Sequence, residues 1–364
     1  MRSDKVGSVD FPTLGDLQDQ WITQHCKIPD RHLRGKPFEQ YDWQFWCTAN
    51  HFRVREDAGF DPEDPPYSEA FTYRRSDVIA SQKLGKGPWA ATLLAVMAVG
   101  PSEFGGWAGR GDVYDCADHG CPCGWYFEYE RGEPMGVRHP SPLLQALATS
   151  QEQVRNIWRP LTLMIRLPGS LLAPLLIDRQ EFIRVVMPGT TAGARDLDVD
   201  RIDAVTSSAL TRLGNPISGY VQDETGTHTS QNGMASVDSA QRRGAAGMRG
   251  RGFTTTNCWD TSQQSVAQKD YEADAPDVFT FYSPPPKHLD FYDDEQRRLI
   301  LVHNYGGSAH NSVESIDAEC VDMIKRGDGA LAERFFGNRP VEVKGTWCPE
   351  DVWEAAYADD DVAA

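Results

Sequence analysis

The chain has no apolar run fit to cross a bilayer: a span needs about 18–20 consecutive apolar residues, and no segment approaches that. Its start, Met1 to Lys5, leads into polar and acidic sequence without the apolar stretch of a secretory signal. A cytosolic protein without membrane contact is the expectation. Cations are also short, with 36 lysines and arginines against 53 aspartates and glutamates, a formal net charge of −17. That shortage excludes a surface that grips nucleic acid over its whole extent, because such surfaces are basic. Contact with DNA would need a local basic patch, partner subunits or another domain. Second, separated pairs of Cys or His, the usual mark of a zinc site, are missing too. The eight cysteines are scattered except for one cluster, and in a cytosolic chain they read as reduced thiols.

What remains is an ordinary globular composition, 40% hydrophobic and 24% charged over 364 residues, enough for about two domains. Acidic runs at Tyr271–Asp277, Asp290–Glu295 and Asp359–Asp361 read as solvated loops and a tail. A short helix is expected around Leu14–His25, and aromatics crowd between Pro37 and Phe52. Thr72–Ala80 reads as a strand, Leu84-Gly85-Lys86-Gly87 as a turn, and Trp89–Val99 as a helix with Pro88 in its first turn. Strand, tight turn and helix form the unit from which nucleotide-binding α/β folds are built. Further helices are expected at Ser150–Leu163, Ser315–Lys325 and Ala330–Phe336, and strands at Phe182–Val186, Ile217–Gln222 and Phe253–Thr256. The division read from these shifts is an N-terminal extension (1–35), a main domain (36–285) with an insertion (101–141), and a helical segment with an acidic tail (286–364).

Six constellations could carry chemistry. Ala80 to Gly87 places Gly85-Lys86 between a strand and a helix, as a phosphate-cradling loop requires. It departs from GxxxxGK[ST] at two positions: Ala80 stands for the first glycine and Gly87 for the hydroxyl residue. A Gly-Lys pair at a surface turn is the bland alternative. Asp223-Glu224, at the end of a strand, could supply one carboxylate for Mg²⁺ and another to deprotonate an attacking water; solvated loop is the alternative. Phe253-Thr254-Thr255-Thr256-Asn257 fits a central strand that aims an amide at a phosphate, or an ordinary strand end followed by a turn. Arg212 could enter a neighbouring subunit's site, or be a surface cation. Gln241–Gly252 carries Arg242, Arg243, Arg249 and Arg251 with no acid, so a Gly-rich loop could track phosphates, or pair with an acidic surface. Cys116, His119, Cys121 and Cys123 lie within eight residues, which strains a tetrahedral zinc site; structural thiols in a tight turn are the preferred reading, with zinc as the lesser alternative.

Taken in order, these segments resemble the terminase large subunit of tailed phages, particularly the type found in phages of actinobacteria. The carrying residues are Tyr41-Asp42-Trp43-Gln44, Tyr73-Arg74-Arg75, Gln82 to Trp89, Val205-Thr206-Ser207-Ser208, Val221 to Gly226, Gln241-Arg242-Arg243, Thr255-Thr256-Asn257 with Trp259-Asp260, and Ala332 to Arg339. The resemblance implies an α/β fold, a RecA-like P-loop (ASCE) ATPase with a mainly parallel sheet flanked by helices, followed by a small helical linker subdomain. It implies ATP and Mg²⁺ as ligands and double-stranded DNA, a portal protein and a terminase small subunit as partners. The active form would be a homo-oligomeric ring in the host cytoplasm, at the procapsid portal. Gln44 would contact adenine; Ser81, Gln82, Lys83, Leu84, Gly85, Lys86 and Gly87 would line the phosphates. Asp223 would position Mg²⁺, with Ser81 or a water replacing the hydroxyl absent at Gly87. Glu224 would be the base, Asn257 the coupling residue and Arg212 the trans-acting finger. Family members continue into an RNase H-like nuclease; too little chain follows Asn338 for one, so no DNA cleavage is expected. The competing readings are another P-loop motor, such as a helicase, and a portal- or capsid-binding remnant. A helicase would need a second motor domain, for which the chain has no room.

Overall fold

A computed structural model describes residues 7–147, 151–179, 181–189, 199–205 and 216–342, apart from the side chains of 151–155. In chain order the helices are α1 (Gly15–His25), α2 (Asp42–His51), α3 (Lys86–Val99), α4 (Gln151–Arg166), α5 (Met234–Ala246), α6 (Val266–Ala273), α7 (Asp294–Tyr305), α8 (Val313–Arg326) and α9 (Gly329–Phe335). The strands are β1 (Arg75–Ile79), β2 (Glu103–Trp107), β3 (Val113–Asp115), β4 (Tyr126–Glu128), β5 (Pro134–Val137), β6 (Leu143–Leu147), β7 (Leu176–Asp178), β8 (Phe182–Val185), β9 (Arg201–Val205), β10 (Gly219–Asp223), β11 (Arg251–Thr256) and β12 (Val278–Tyr282). None of the described helices is long and apolar enough to cross a membrane.

Eight strands form one sheet in the order β12-β1-β11-β10-β6-β9-β8-β7. Every pairing is parallel from β12 to β9, and only β8 runs against the rest, pairing antiparallel with β9 and β7, so the expected mainly parallel α/β class is observed. Parallel strands buried on both faces need no polar alternation, and β1, β10 and β11 are buried along their whole length. A Cβ on Gly219 would meet the Met97 side chain of α3, whereas Gln222 bonds Gln241 of α5. Residues an odd number apart on a strand face opposite ways, so α3 and α5 cover opposite faces. The register sets Ile79 beside Thr256 and Asp223 beside Thr255. Three neighbouring strands therefore end together, and ligands of open parallel sheets bind at that carboxyl edge.

Residues 101–141 carry two small antiparallel ribbons, β2 with β5 and β3 with β4, outside the main sheet. The described N-terminal and C-terminal segments pack onto the same core. Leu14, Leu17, Trp21 and Ile22 of the N-terminal segment are buried in the same cluster as α3, and so are Ile300, Leu301, Tyr305 and Phe336 from the C-terminal helices. Amphipathic elements at each end bury their apolar faces on the sheet domain, so neither end stands apart from the core.

His51 ties α2 to the sheet, with its Nδ1 2.8 Å from the Ser76 hydroxyl of β1. Burial first, and then the Arg251 charge, hold its pKa well below the usual histidine value. A histidine kept neutral by the fold contributes stability above its unfolded pKa near 6.5 and loses it as pH falls below that. Stability should therefore fall between pH 6.5 and 5 by up to about 1.4 kcal/mol per pH unit more in the wild type than in His51→Asn. Chemical denaturation across that range checks this; equal slopes would contradict it.

Candidate active site

The chain leaves β1 at Ile79, turns through Ala80–Gly85 and enters α3 at Lys86. Gly85 takes φ +80° ahead of the helix, a left-handed conformation that glycine adopts without a Cβ clash. Lys83 (φ +68°) and Glu224 (φ +58°) adopt the same region with a Cβ present, at roughly 1–2 kcal/mol each. Such strain persists where neighbours over-determine it. At Lys83 the neighbour is His310, whose Nε2 donates to the Lys83 carbonyl at 2.9 Å and whose Nδ1 accepts from the Tyr41 hydroxyl at 2.8 Å. That tautomer follows because a carbonyl only accepts. At Glu224 the backbone N–H donates to the Thr255 carbonyl at 2.7 Å, and Thr227 donates its hydroxyl to the Glu224 carbonyl at 2.7 Å.

The structure brings Lys86, Asp223, Glu224 and Asn257 together. Lys86 Nζ donates to the Ala80 carbonyl at 2.7 Å, the Ser81 carbonyl at 2.9 Å and Asn257 Oδ1 at 2.7 Å, which uses all three ammonium hydrogens. Asn257 Nδ2 in turn donates to Glu224 Oε1 at 3.0 Å and Oε2 at 2.9 Å. The amide orientation is thus fixed, oxygen toward the cation and nitrogen toward the carboxylate. Asp223 Oδ1 accepts from the Thr255 hydroxyl at 2.7 Å and is also hydrogen-bonded by Asn156 of α4. Burial lowers the Lys86 pKa, against the pull of Glu224 and Asp223. It raises the Asp223 carboxyl, and it raises Glu224 to about 7 with Asp223 adding to the shift. Buried Asp223 and half-buried Glu224 therefore face one lysine, a pair of carboxyls of the kind a divalent cation can bridge or offset.

The other expected lining residues divide. Gln44 is buried beside the turn: its Oε1 accepts from the Tyr41 N–H at 3.0 Å and its Nε2 would lie 3.9 Å from a Cβ on Gly85. Gln82 is held on its backbone alone, its N–H donating to the Phe335 carbonyl and its carbonyl accepting from Tyr305, each at 2.8 Å. Leu84 is buried in the core. The Ser81 hydroxyl donates to the Phe336 carbonyl at 3.3 Å, toward the C-terminal helices. Gly87 has a steric reason: a Cβ there would come within 2.4 Å of the Asn156 carbonyl. Helix α4 thus packs where a serine or threonine side chain would begin. Sequence reading missed Asn156, Tyr305 and His310, which carry no local motif. It missed the placement of Arg334 as well, which donates to the carbonyls of Cys258 at 2.7 Å and Gly226 at 3.2 Å and bears electrostatically on Glu224.

Arg212 lies outside the described residues. The expected Arg-bearing loop is not a loop: Arg242 and Arg243 ride on α5, and Arg251 sits inside β11. Arg242 forks onto Asp270 at 2.9 and 2.7 Å, and Arg251 donates to the His51 carbonyl at 2.7 Å with its guanidinium 3.6 Å from the Phe71 ring centre. Both are buried or nearly so, which removes them from any DNA-facing surface. Arg249 pairs with Asp64 at 3.2 Å on the surface and Arg243 bonds Ser239, so these cations answer acids and hydroxyls of the chain itself. In the cysteine cluster His119 is displaced as the fourth member: it stacks on Tyr114 at 4.4 Å, and His25 of α1 meets the thiols instead.

No protein-family model matches the chain, and no curated protein does. Among solved structures it is similar to the HK97 bacteriophage large terminase, with a TM-score of 0.60 at 14% identity over 94% of this chain and 58% of that one. The chain thus spans 58% of the length of that protein. A variant of the large terminase ATPase domain of Thermus phage P74-26 gives 0.45 at 8% identity, over 74% of this chain and 90% of that one. The large terminase of a thermophilic bacteriophage gives 0.36 at 11% identity, over 66% and 48%. At such identities the HK97 likeness establishes a shared fold. The steric account of Gly87 has a direct consequence: Gly87→Ser, which restores the usual hydroxyl, should destabilise the protein by about 1–3 kcal/mol. A thermal melt reads this as a lowered midpoint; an unchanged midpoint would show that α4 yields freely.

Proposed function

We propose that this chain is the ATP-hydrolysing motor of phage genome packaging, the ATPase portion of a terminase large subunit. The observation that carries the reading is the hydrogen-bonded series Lys86–Asn257–Glu224 at the shared carboxyl edge of β1, β11 and β10. The fold shared with the HK97 large terminase supports the choice of motor.

In this reading the first amides of α3, which have no partner within the helix, face the phosphates with the positive end of the helix behind them. Phosphate oxygens replace the Ala80 and Ser81 carbonyls as acceptors for Lys86. Asp223, oriented by Thr255, would hold Mg²⁺, and two carboxyls against one lysine suit a divalent ion. The metal, when bound, offsets charge that develops on the transferred phosphoryl oxygens. Glu224 takes the proton of the attacking water; burial keeps its carboxyl basic enough to do so near neutral pH. Asn257 grips both Lys86 and Glu224, so a change of partner at the lysine is felt at the base, which suits a coupling role. Gln44 lies beside the turn, as an adenine contact requires. The retention of a base, a lysine and their linker favours a working motor over a binding remnant.

We further propose double-stranded DNA as the cargo, with portal protein, terminase small subunit and sister copies in a ring as partners in the host cytoplasm. Grip on DNA falls to residues other than Arg242 and Arg251, and a chain of net charge −17 must use a local surface for it. Phosphate release assays test the enzymatic core. Wild type should hydrolyse ATP with Mg²⁺, while Lys86→Ala and Glu224→Gln should each lose about 100-fold or more. Equal release from all three proteins would overturn the reading.

A further inference from the structure

Helix α1 ends on His25, and its imidazole meets three thiols of the insertion. Its Nε2 lies 3.5 Å from Cys116 Sγ, 3.5 Å from Cys121 Sγ and 3.4 Å from Cys123 Sγ. All four candidate ligand atoms fall within 4.8 Å of one another. We infer that His25, Cys116, Cys121 and Cys123 hold a structural zinc ion that fastens α1 to the insertion.

The spacing is that of a coordination shell. With Zn–S about 2.3 Å and Zn–N about 2.0–2.1 Å, a tetrahedron has a sulfur-to-nitrogen edge of about 3.5 Å. His25 Nδ1 lies 2.9 Å from the Trp21 carbonyl, which can only accept, so Nδ1 carries the proton and Nε2 offers one lone pair. That lone pair faces all three sulfurs, as a metal-ligating imidazole's would. A backbone carbonyl on the far ring nitrogen is also the usual outer support of a zinc-bound histidine.

The surroundings are built for a closed site. His25, Cys116 and Cys121 are buried, and Cys123 is half-buried. Trp21 stacks on the imidazole at 4.3 Å with 12° between planes, and Trp125 approaches it edge-on at 5.9 Å. The Trp125 N–H points to Cys123 Sγ at 3.4 Å, and the Cys121 N–H closes the turn on the Cys116 carbonyl at 2.9 Å. Four protein ligands leave no open coordination position for a water, which marks a structural site rather than a catalytic one. The fastening reaches the helix that starts at the phosphate turn. Gln18 of α1 donates to the Pro101 carbonyl at 3.0 Å, and Trp21 borders Gly100 at the end of α3.

Elemental analysis of the purified full chain tests this, with wild type, His25→Ala, Cys121→Ser and His119→Ala compared. Wild type and His119→Ala should carry about one zinc per chain, and the other two should lose most of it. If His25→Ala or Cys121→Ser fails to fold, mercurial titration of the wild type gives the same answer, with zinc released as three thiols are modified. Wild type that stays metal-free when expressed and purified with zinc would overturn the inference. So would loss of zinc in His119→Ala, or a disulfide among Cys116, Cys121 and Cys123 in the intact mass of the wild type.

Discussion

Lys86 is buried, and everything around it is arranged to make that tolerable. An ammonium taken from water must recover its hydration from fixed acceptors, and three are supplied within 2.9 Å: two carbonyls of the turn it terminates and the oxygen of Asn257. The carbonyls require the tight turn, the turn requires left-handed backbone at Gly85 and Lys83, and Asn257 requires β11 to lie between β1 and β10. The same amide holds Glu224, so carboxylate and lysine are positioned by one side chain. Removing one member of such a set leaves a buried charge without its partner, which is more damaging than the loss of a surface ion pair.

The turn is also gripped from outside. His310 holds the Lys83 carbonyl, Tyr305 the Gln82 carbonyl and Phe335 the Gln82 N–H, so three positions of the C-terminal helical segment set the phosphate turn's shape. Tyr41 and Gln44 at the start of α2 complete the ring through His310 and Gly85. Displacement of the turn would be passed directly to these helices.

Much of this was legible in sequence, and the failures have physical causes. The β1–turn–α3 unit announced itself through a strand, Gly85-Lys86 and a proline in the first helical turn, and Asp223-Glu224 and Asn257 through polar residues closing strands. The stretch Gln241–Gly252 misled because glycine and arginine suggest a solvated loop. In the fold Gly252 lies against the Tyr220 ring and Gly250 against the carbonyls of Ile217 and Ser218, so small residues permit close packing and Arg251 is carried inside. His25 was invisible to spacing rules because it lies 91 residues before Cys116, and only folding brings them together. Gly87 looked like a lost metal ligand, whereas its lack of a Cβ makes room for the Asn156 carbonyl.

The central claim is that Lys86 releases its loop carbonyls to hold a triphosphate. Calorimetric titration of wild type and Lys86→Ala with a slowly hydrolysed ATP analogue and Mg²⁺ tests it most directly. The account predicts one site per chain in the wild type and at least about tenfold weaker binding in the variant, since a charge-assisted contact contributes about 1.5–3 kcal/mol. Equal affinity in the two proteins would place the nucleotide, if it binds, somewhere other than this turn, and would contradict the account.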